Sequence, residues 1–367
     1  MAKTYRVAVI GRTGKGGYGH GLDTVWKEIP RAEVVAVSDD APNIRELALA
    51  RTGAPRFYAD YRKMLDQEKP DVVAVAPRWI DRHHEMVTAC LQHGCHVYME
   101  KPFCRTLEEA DDLVRLSEMT HARLAIAHQT RYCPTLQAAR KLLQEVALGT
   151  ILELRARGKE DHRGGAEDLW VLGSHLMNLM QLLAGEPAVC WGRVTQRGRP
   201  ITRGDVVTGN EGLGPLAGDT VDAMFSFDNG ITGYFGSHRG QAGKPSRFGL
   251  QVCGSKGVLQ LYTGYLEPAY VLLDSSWSPG KTGTDWQTIS SQGVGKPETR
   301  QGRGLQGGNV AAINDLLDAI EQNRLPLCNI YEARATIEMI MAVFESQRLQ
   351  APVPLPLTSR KHPLSLL

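Results

Sequence analysis

Short β-branched runs alternate with helix-length stretches through the first third of the chain. Tyr5 to Ile10 is the first run and ends in a glycine-rich turn, and Glu33 to Ser38 (EVVAVS) is the second, beyond a segment long enough for a helix. The helical IRELALAR stretch from Ile44 and the charged YRKMLDQEK segment lead to Asp71 to Ala76 (DVVAVA); MVTACLQHG leads to Val97 to Met99. A helix over Leu107 to Met119 follows, then a fifth strand over Ala122 to Ala127. Strands that alternate with helices predict an α/β domain with a parallel, doubly wound sheet over 1–126. From Ile151 the texture changes. The helical DLWVLGSHLMNLMQLL precedes alternating runs (TVDAMFSF, ITGYFGSH, FGLQVCG, GVLQLY) joined by Gly and Asn turns, which predicts an α+β domain with an open, mostly antiparallel sheet over 127–367. One early helix cannot cover so large a sheet, so a face is left for another subunit and a homodimer or homotetramer is expected. Pro279 to Gly308 lacks periodicity and reads as a long loop before helices over Asn309 to Gln322 and Tyr331 to Leu349.

Composition narrows the partners. Lys and Arg number 42 against 40 Asp and Glu, so the net charge of +2 gives no sequence-wide reason to bind nucleic acid or a membrane. The seven cysteines are odd in number, scattered and without a C-x-x-C pair, which argues against a disulfide framework or structural zinc and reads as reduced thiols in the cytoplasm. A strand begins within a few residues of Met1 and no apolar run approaches bilayer length, so neither a signal peptide nor a membrane span is expected.

The first turn, VAVIGRTGKGGYGHG, is where chemistry enters. Glycines at 11, 14, 16, 17, 19 and 21 let backbone amides approach a pyrophosphate, with the positive end of a following helix in support. The spacing departs from G-x-G-x-x-G, and a plain flexible turn is the alternative. The flanking strands and Asp39 at the end of the second strand point to a dinucleotide, and an acid there favours NAD, with NADP less expected. Asp39 and Asp40 can equally open a solvated turn. Cofactor candidates in this part of the chain are Gly11, Thr13, Gly14, Gly16, Gly17 and Asp39. Lys101 ends the fourth predicted strand, where ligands sit in such sheets, although a surface ion pair with Glu100 would use the same residues.

The stretch from Ala76 to Pro102, with its HHEMVTACLQHGCHV run and the E-K-P triplet Glu100, Lys101, Pro102, resembles the glucose-fructose oxidoreductase, inositol dehydrogenase and MocA (Gfo/Idh/MocA) superfamily. The tail from DLLDAIEQNRLPL to VPLPL resembles it too. That resemblance implies a Rossmann domain followed by an α/β domain that oligomerises through its sheet, and NAD(P)-dependent oxidation of a CH-OH group in sugars, polyols or their derivatives. It assigns Lys101 a place beside the nicotinamide and the reacting hydroxyl, Pro77, Trp79, His84, Glu100, Lys101 and Arg131 places on the cofactor side, Arg131, Tyr132 and Pro134 a turn lining the nicotinamide site, and His175 the role of the substrate-domain histidine. Lys101 and His175 are thus the implied catalytic pair, with His175 as the base and Lys101 holding the oxygen. Lys101 could instead be the base, were its pKa lowered.

The chain departs from that pattern at two positions. Many members carry an aspartate where this chain has Val171, and another is frequent where Asn178 stands. Asp161, Glu167 and Asp168 of the loop KEDHRGGAEDL are candidate replacements, and Lys101, Tyr132, Asp161, His162, Asp168 and His175 are the substrate-side candidates; the same loop could be only a solvated entry with Asp168 as helix cap. No zinc-type ligand spacing is present, so no metal is expected. Two other functions remain open at this level: a redox-neutral glycosidase that oxidises transiently on retained NAD, and a non-catalytic NAD-binding sensor.

Overall fold

The computed structural model describes residues 3–301 and 304–367, and the chain divides into two compact units. The first comprises residues up to Gln129 together with Asn210–Gly214 and Leu305–Ile337; the second comprises Thr130–Gly209, Pro215–Gly304 and Glu338–Leu367. A reading along the chain assigns all of 127–367 to the second domain. The helix Leu305–Glu321 instead joins the first unit, where Asn329 bridges Ala125 and the Ile126 amide donates to the Cys328 carbonyl.

The first unit is built on six parallel strands: β1 (Tyr5–Ile10), β2 (Ala32–Ser38), β3 (Phe57–Tyr58), β4 (Val72–Val75), β5 (His96–Met99) and β6 (Leu124–Ile126), in the order β3-β2-β1-β4-β5-β6. The Val-rich sequences of β1 and β4 are apolar at successive positions because helices cover both faces; every residue of β4 is buried. Helices α1 (Arg45–Thr52), α2 (Tyr61–Glu68), α3 (His83–Gln92) and α4 (Leu107–Thr120) connect the strands. The two-residue β3 has too short a signal to be read from sequence. A more consequential difference lies between β1 and β2. The expected helix is absent, and the chain runs through turns to one 3-10 turn, Val25–Glu28. Gly14, Gly16, Gly17, Gly19 and Gly21 all have positive φ, which a right-handed helix cannot accept.

The second unit contains α5 (Pro134–Gln144), α6 (Ala166–Val171) and α7 (Gly173–Ala184) with an eleven-stranded sheet. Its strands are β7 (Ile151–Arg157), β8 (Pro187–Gln196), β9 (Arg199–Pro200), β12 (Thr220–Phe227), β13 (Thr232–His238), β14 (Gly249–Gly254), β15 (Gly257–Tyr262), β16 (Ala269–Leu272), β17 (Gln287–Ser290), β18 (Gly293–Val294) and β19 (Val353–Pro354), while β10 (Val207–Gly209) and β11 (Gly214–Leu216) pair separately. Neighbours are antiparallel except β7 and β13. The stretch read as a long loop thus contains β17 and β18, a small hairpin whose few residues give too little alternation to register; Gly302 and Arg303 in that stretch lie outside the described residues. Along β12, Val221, Ala223, Phe225 and Phe227 are buried at every second position, on the face that α6 and α7 cover. The other face carries exposed Trp191 and Tyr234, and with Arg155, Arg193, Met224 and Tyr262 they line a concavity of about 900 Å³.

All seven cysteines are free and buried, and among the described residues no helix is long and apolar enough to cross a membrane. His362, on the C-terminal segment, is buried against Trp170 and Phe344 with ring centroids 6.3 and 6.0 Å apart, and its Nδ1 accepts from the Leu364 amide.

Candidate functional site

In the first unit, the strand order reverses between β1 and β4, which opens a crevice at their carboxyl ends. The loop from Gly11 to Gly21 fills the approach to it. Arg12 and Gly17 exchange backbone hydrogen bonds, folding the loop into a tight turn. At Gly16, where φ is +84°, a Cβ would lie 2.6 Å from the Arg78 amide nitrogen; at Gly19, where φ is +62°, it would lie 2.4 Å from Glu100 Oε1. Only glycine fits either place. The loop therefore lies directly on the segments that leave β4 and β5. Lys15 Nζ sits 4.3 Å from the centre of the Trp79 ring, and Arg12 Nη1 donates to Asp81 at 2.8 Å.

Asp39 is almost fully buried and acts within this loop. Its carboxylate accepts the Thr13 amide at 3.0 and 3.1 Å, the Thr13 hydroxyl at 2.8 Å and the Ala41 amide at 3.0 Å. Both oxygens are thus occupied by the chain itself. The neighbouring Asp40 is exposed and lines a hollow of about 210 Å³ with Gly11, Ser38, Tyr61, Arg62 and Arg82, at the carboxyl ends of β1 and β2. An acid at this place is what the ribose of a dinucleotide meets. The sequence places two aspartates side by side and gives no sign of which one turns inward.

Glu100 directly follows β5 and is completely buried. Burial pushes its carboxyl up, but the His20 ring at 2.7 Å, the charge of Lys101 and the His20 amide outweigh it, so its pKa lies below the usual carboxylate value. The Lys101 amide donates to Glu100 Oε2 at 3.1 Å, and Lys101 itself is 8% exposed. Beneath them Asn309 accepts from Tyr98 Oη at 2.8 Å and Gln129 Nε2 at 2.9 Å and donates to the His20 carbonyl at 3.0 Å. Of the adjacent histidines, His84 lies 2.8 Å from Asp112 on α4, whereas His83 is buried with its ring nitrogens 2.7 Å from the Pro77 carbonyl and 2.9 Å from that of Pro102. His83 therefore ties together the segments after β4 and β5. His20 and Arg82 have no motif that marks them in sequence; their parts come from long-range packing.

In the second unit, α6 and α7 meet at Leu172, so Val171 and His175 belong to different helices. Val171 is buried, His175 and Tyr132 are half-buried, and Arg131 is buried with Nη1 donating to the Asn178 carbonyl at 3.0 Å. Asp168 is fully buried: Oδ2 accepts the Glu160 amide at 3.0 Å and Ser237 Oγ at 2.5 Å, while Oδ1 has no hydrogen-bond partner. Its burial pushes the carboxyl up. Ser174 Oγ and Asn178 Nδ2 are also buried without hydrogen-bond partners. Asp161, by contrast, is clasped by Arg163 and brought down to about 2 by it, and His162 is exposed. Glu167 is buried on α6. No cluster of three metal-ligating side chains occurs among the described residues.

The first unit can thus hold a dinucleotide along its glycine loop, and the second offers hydrogen-bonding groups suited to hydroxyls. Comparison with known proteins agrees with this division. Residues 5–128 match the model of the oxidoreductase family's NAD-binding Rossmann fold (GFO_IDH_MocA), and residues 153–355 match that family's C-terminal alpha/beta domain. The levoglucosan dehydrogenase of Pseudarthrobacter phenanthrenivorans is 26% identical over 257 residues, covering 62% of this chain and 64% of that enzyme. A glycosyl hydrolase family 109 protein of Streptomyces coelicolor is 36% identical over 138 residues, 35% of this chain and 28% of that protein. A solved levoglucosan dehydrogenase, in complex with NADH and levoglucosan, shares the fold with a TM-score of 0.78 at 20% identity, over 97% of this chain and 100% of that one.

Proposed function

Because the chain belongs to the Gfo/Idh/MocA oxidoreductase family, we propose that it is an NAD-dependent oxidoreductase acting on a hydroxyl-bearing carbon of a sugar, polyol or sugar derivative. The observation that carries this reading is the close seating of Gly16 and Gly19 on Arg78 and Glu100, a cradle that a Cβ would fill, with Lys101 next in sequence. The loop glycines Gly11, Gly14, Gly16 and Gly17, with Pro77, Trp79, Glu100 and Lys101, would hold the dinucleotide. Bound NAD supplies the hydride acceptor. Lys101 holds the substrate oxygen and stabilises the charge that grows on it. His175 accepts the hydroxyl proton without needing a large pKa shift. Arg131 and Tyr132 belong to the same substrate side.

The activity belongs to a homo-oligomer, a dimer or tetramer, formed through the uncovered face of the large sheet, and works in a reducing compartment such as the cytoplasm. Incubation of the purified protein with NAD and a panel of free sugars, anhydrosugars, polyols and glycosides, read at 340 nm and by product analysis, tests the reaction. Stoichiometric NADH from a free sugar or polyol supports the dehydrogenase. Glycoside cleavage without net NADH would replace it with the redox-neutral glycosidase, which the family 109 likeness and the absent carboxylate at Val171 favour as the second reading.

A further inference from the structure

Glu160 lies in the loop between β7 and α6 and is completely buried. Its φ is +61°, a conformation that a non-glycine residue keeps only where its surroundings hold it. Two guanidiniums do so. Arg157 Nη2, at the end of β7, donates to Oε1 at 2.7 Å and Arg247 Nη2 donates to Oε2 at 2.9 Å, while the His238 amide adds a bond to Oε1 at 3.0 Å. The buried carboxylate is thereby fully paired. Arg157 and Arg247 both line the concavity on the uncovered sheet face, so the charges that balance Glu160 come from the face opposite α6 and α7.

The backbone of Glu160 leads the other way, to the helices. Its amide donates to Asp168 Oδ2 at 3.0 Å, and Gly158 lets the loop come this close, since a Cβ there would lie 2.2 Å from the same oxygen. The Asp168 carbonyl accepts the Leu172 amide at 3.0 Å, and the Leu172 carbonyl accepts the His175 amide at 3.1 Å. A run of hydrogen bonds thus joins the uncovered sheet face, through Glu160 and Asp168, to the elbow of α6 and α7 that carries His175. We infer that Glu160 is a positioning residue for the reaction: braced by Arg157 and Arg247, it holds the loop on Asp168 and so fixes where His175 stands. The consequence for turnover rests on the role given to His175 above; the bracing itself does not.

Two measurements on the whole chain test this, with Glu160→Gln, which keeps the shape and removes the charge, and with Arg247→Gln and Arg247→Lys at a side chain more than half exposed. Hydrogen exchange followed by mass spectrometry needs no substrate. In Glu160→Gln, peptides over 158–176 should exchange at least about tenfold faster, while those of the β14 and β15 hairpin keep the native rate. With the substrate that the panel identifies, kcat should fall about tenfold to a hundredfold at unchanged NAD affinity, because a displacement of about 1 Å costs a base that much. Arg247→Gln should lose about threefold to tenfold, and Arg247→Lys, which keeps the cation, should recover most of it. Native exchange over 158–176, faster exchange spread over the whole second unit, or a native kcat in the folded variant would overturn the inference. Should Glu160→Gln not fold, the Arg247 pair decides by the same readouts. A native protein that turns over nothing in the panel would overturn the dehydrogenase reading instead, and exchange would still judge the bracing.

Discussion

Both oxygens of Asp39 accept the Thr13 amide and Oδ2 accepts its hydroxyl, so this aspartate shapes the glycine loop from beneath. Asp39→Ala should cost about 1–3 kcal/mol by leaving that amide unsatisfied. It should also weaken NAD and NADP in similar proportion, as urea denaturation and nucleotide titration would show. His175→Ala should lower turnover by about 10² to 10⁴ if the imidazole is the base, whereas unchanged turnover would remove that role. At His362 burial brings the pKa from 6.5 down to about 4. The folded state thus takes up the proton later than the unfolded chain, and stability present above pH 6.5 is lost as pH falls from 6.5 toward 4, by up to about 3 kcal/mol. His362→Phe, which keeps the ring against Trp170, should flatten that dependence in urea midpoints measured at pH 7 and pH 4.5.

The alternation of strands and helices was legible because each element carries its own period: VVAV for a doubly covered strand, every second residue apolar in TVDAMFSF. What failed was the helix after β1. There six glycines within eleven residues favour turns over helix, so a pyrophosphate seated on this loop would meet loop amides rather than a helix end. The E-K-P triplet pointed to the carboxyl end of β5, but the partnership of Glu100 with His20 spans 80 residues and has no local signature. The same loop gives a sharp test. In Gly19→Ala the new methyl would meet Glu100 and the Ala76 carbonyl at positive φ, so stability should fall by about 1–3 kcal/mol and nucleotide affinity with it. Near-native denaturation and NAD titration would contradict the close seating described.

At the scale of the whole molecule, division into units was harder to read than either sheet, because chain order does not reveal that Leu305–Ile337 returns to the first unit. The exposed Trp191 and Tyr234 on the uncovered sheet face lead to a prediction of assembly. Light scattering should give a mass above the 40.3 kDa of one chain, and Trp191→Lys should lower it; a native monomer would remove the proposed interface. The burial of every cysteine has a practical consequence for watching this protein come apart. Burial pushes the Cys95 thiol up to about 12, so that sulfur offers an alkylating reagent almost no thiolate, and burial shields the other six from contact with it in the folded protein. Cys90, Cys95, Cys104 and Cys328 lie in the first unit and Cys133, Cys190 and Cys253 in the second, so peptide mapping after a brief pulse of reagent would date the opening of each unit separately, with no label introduced.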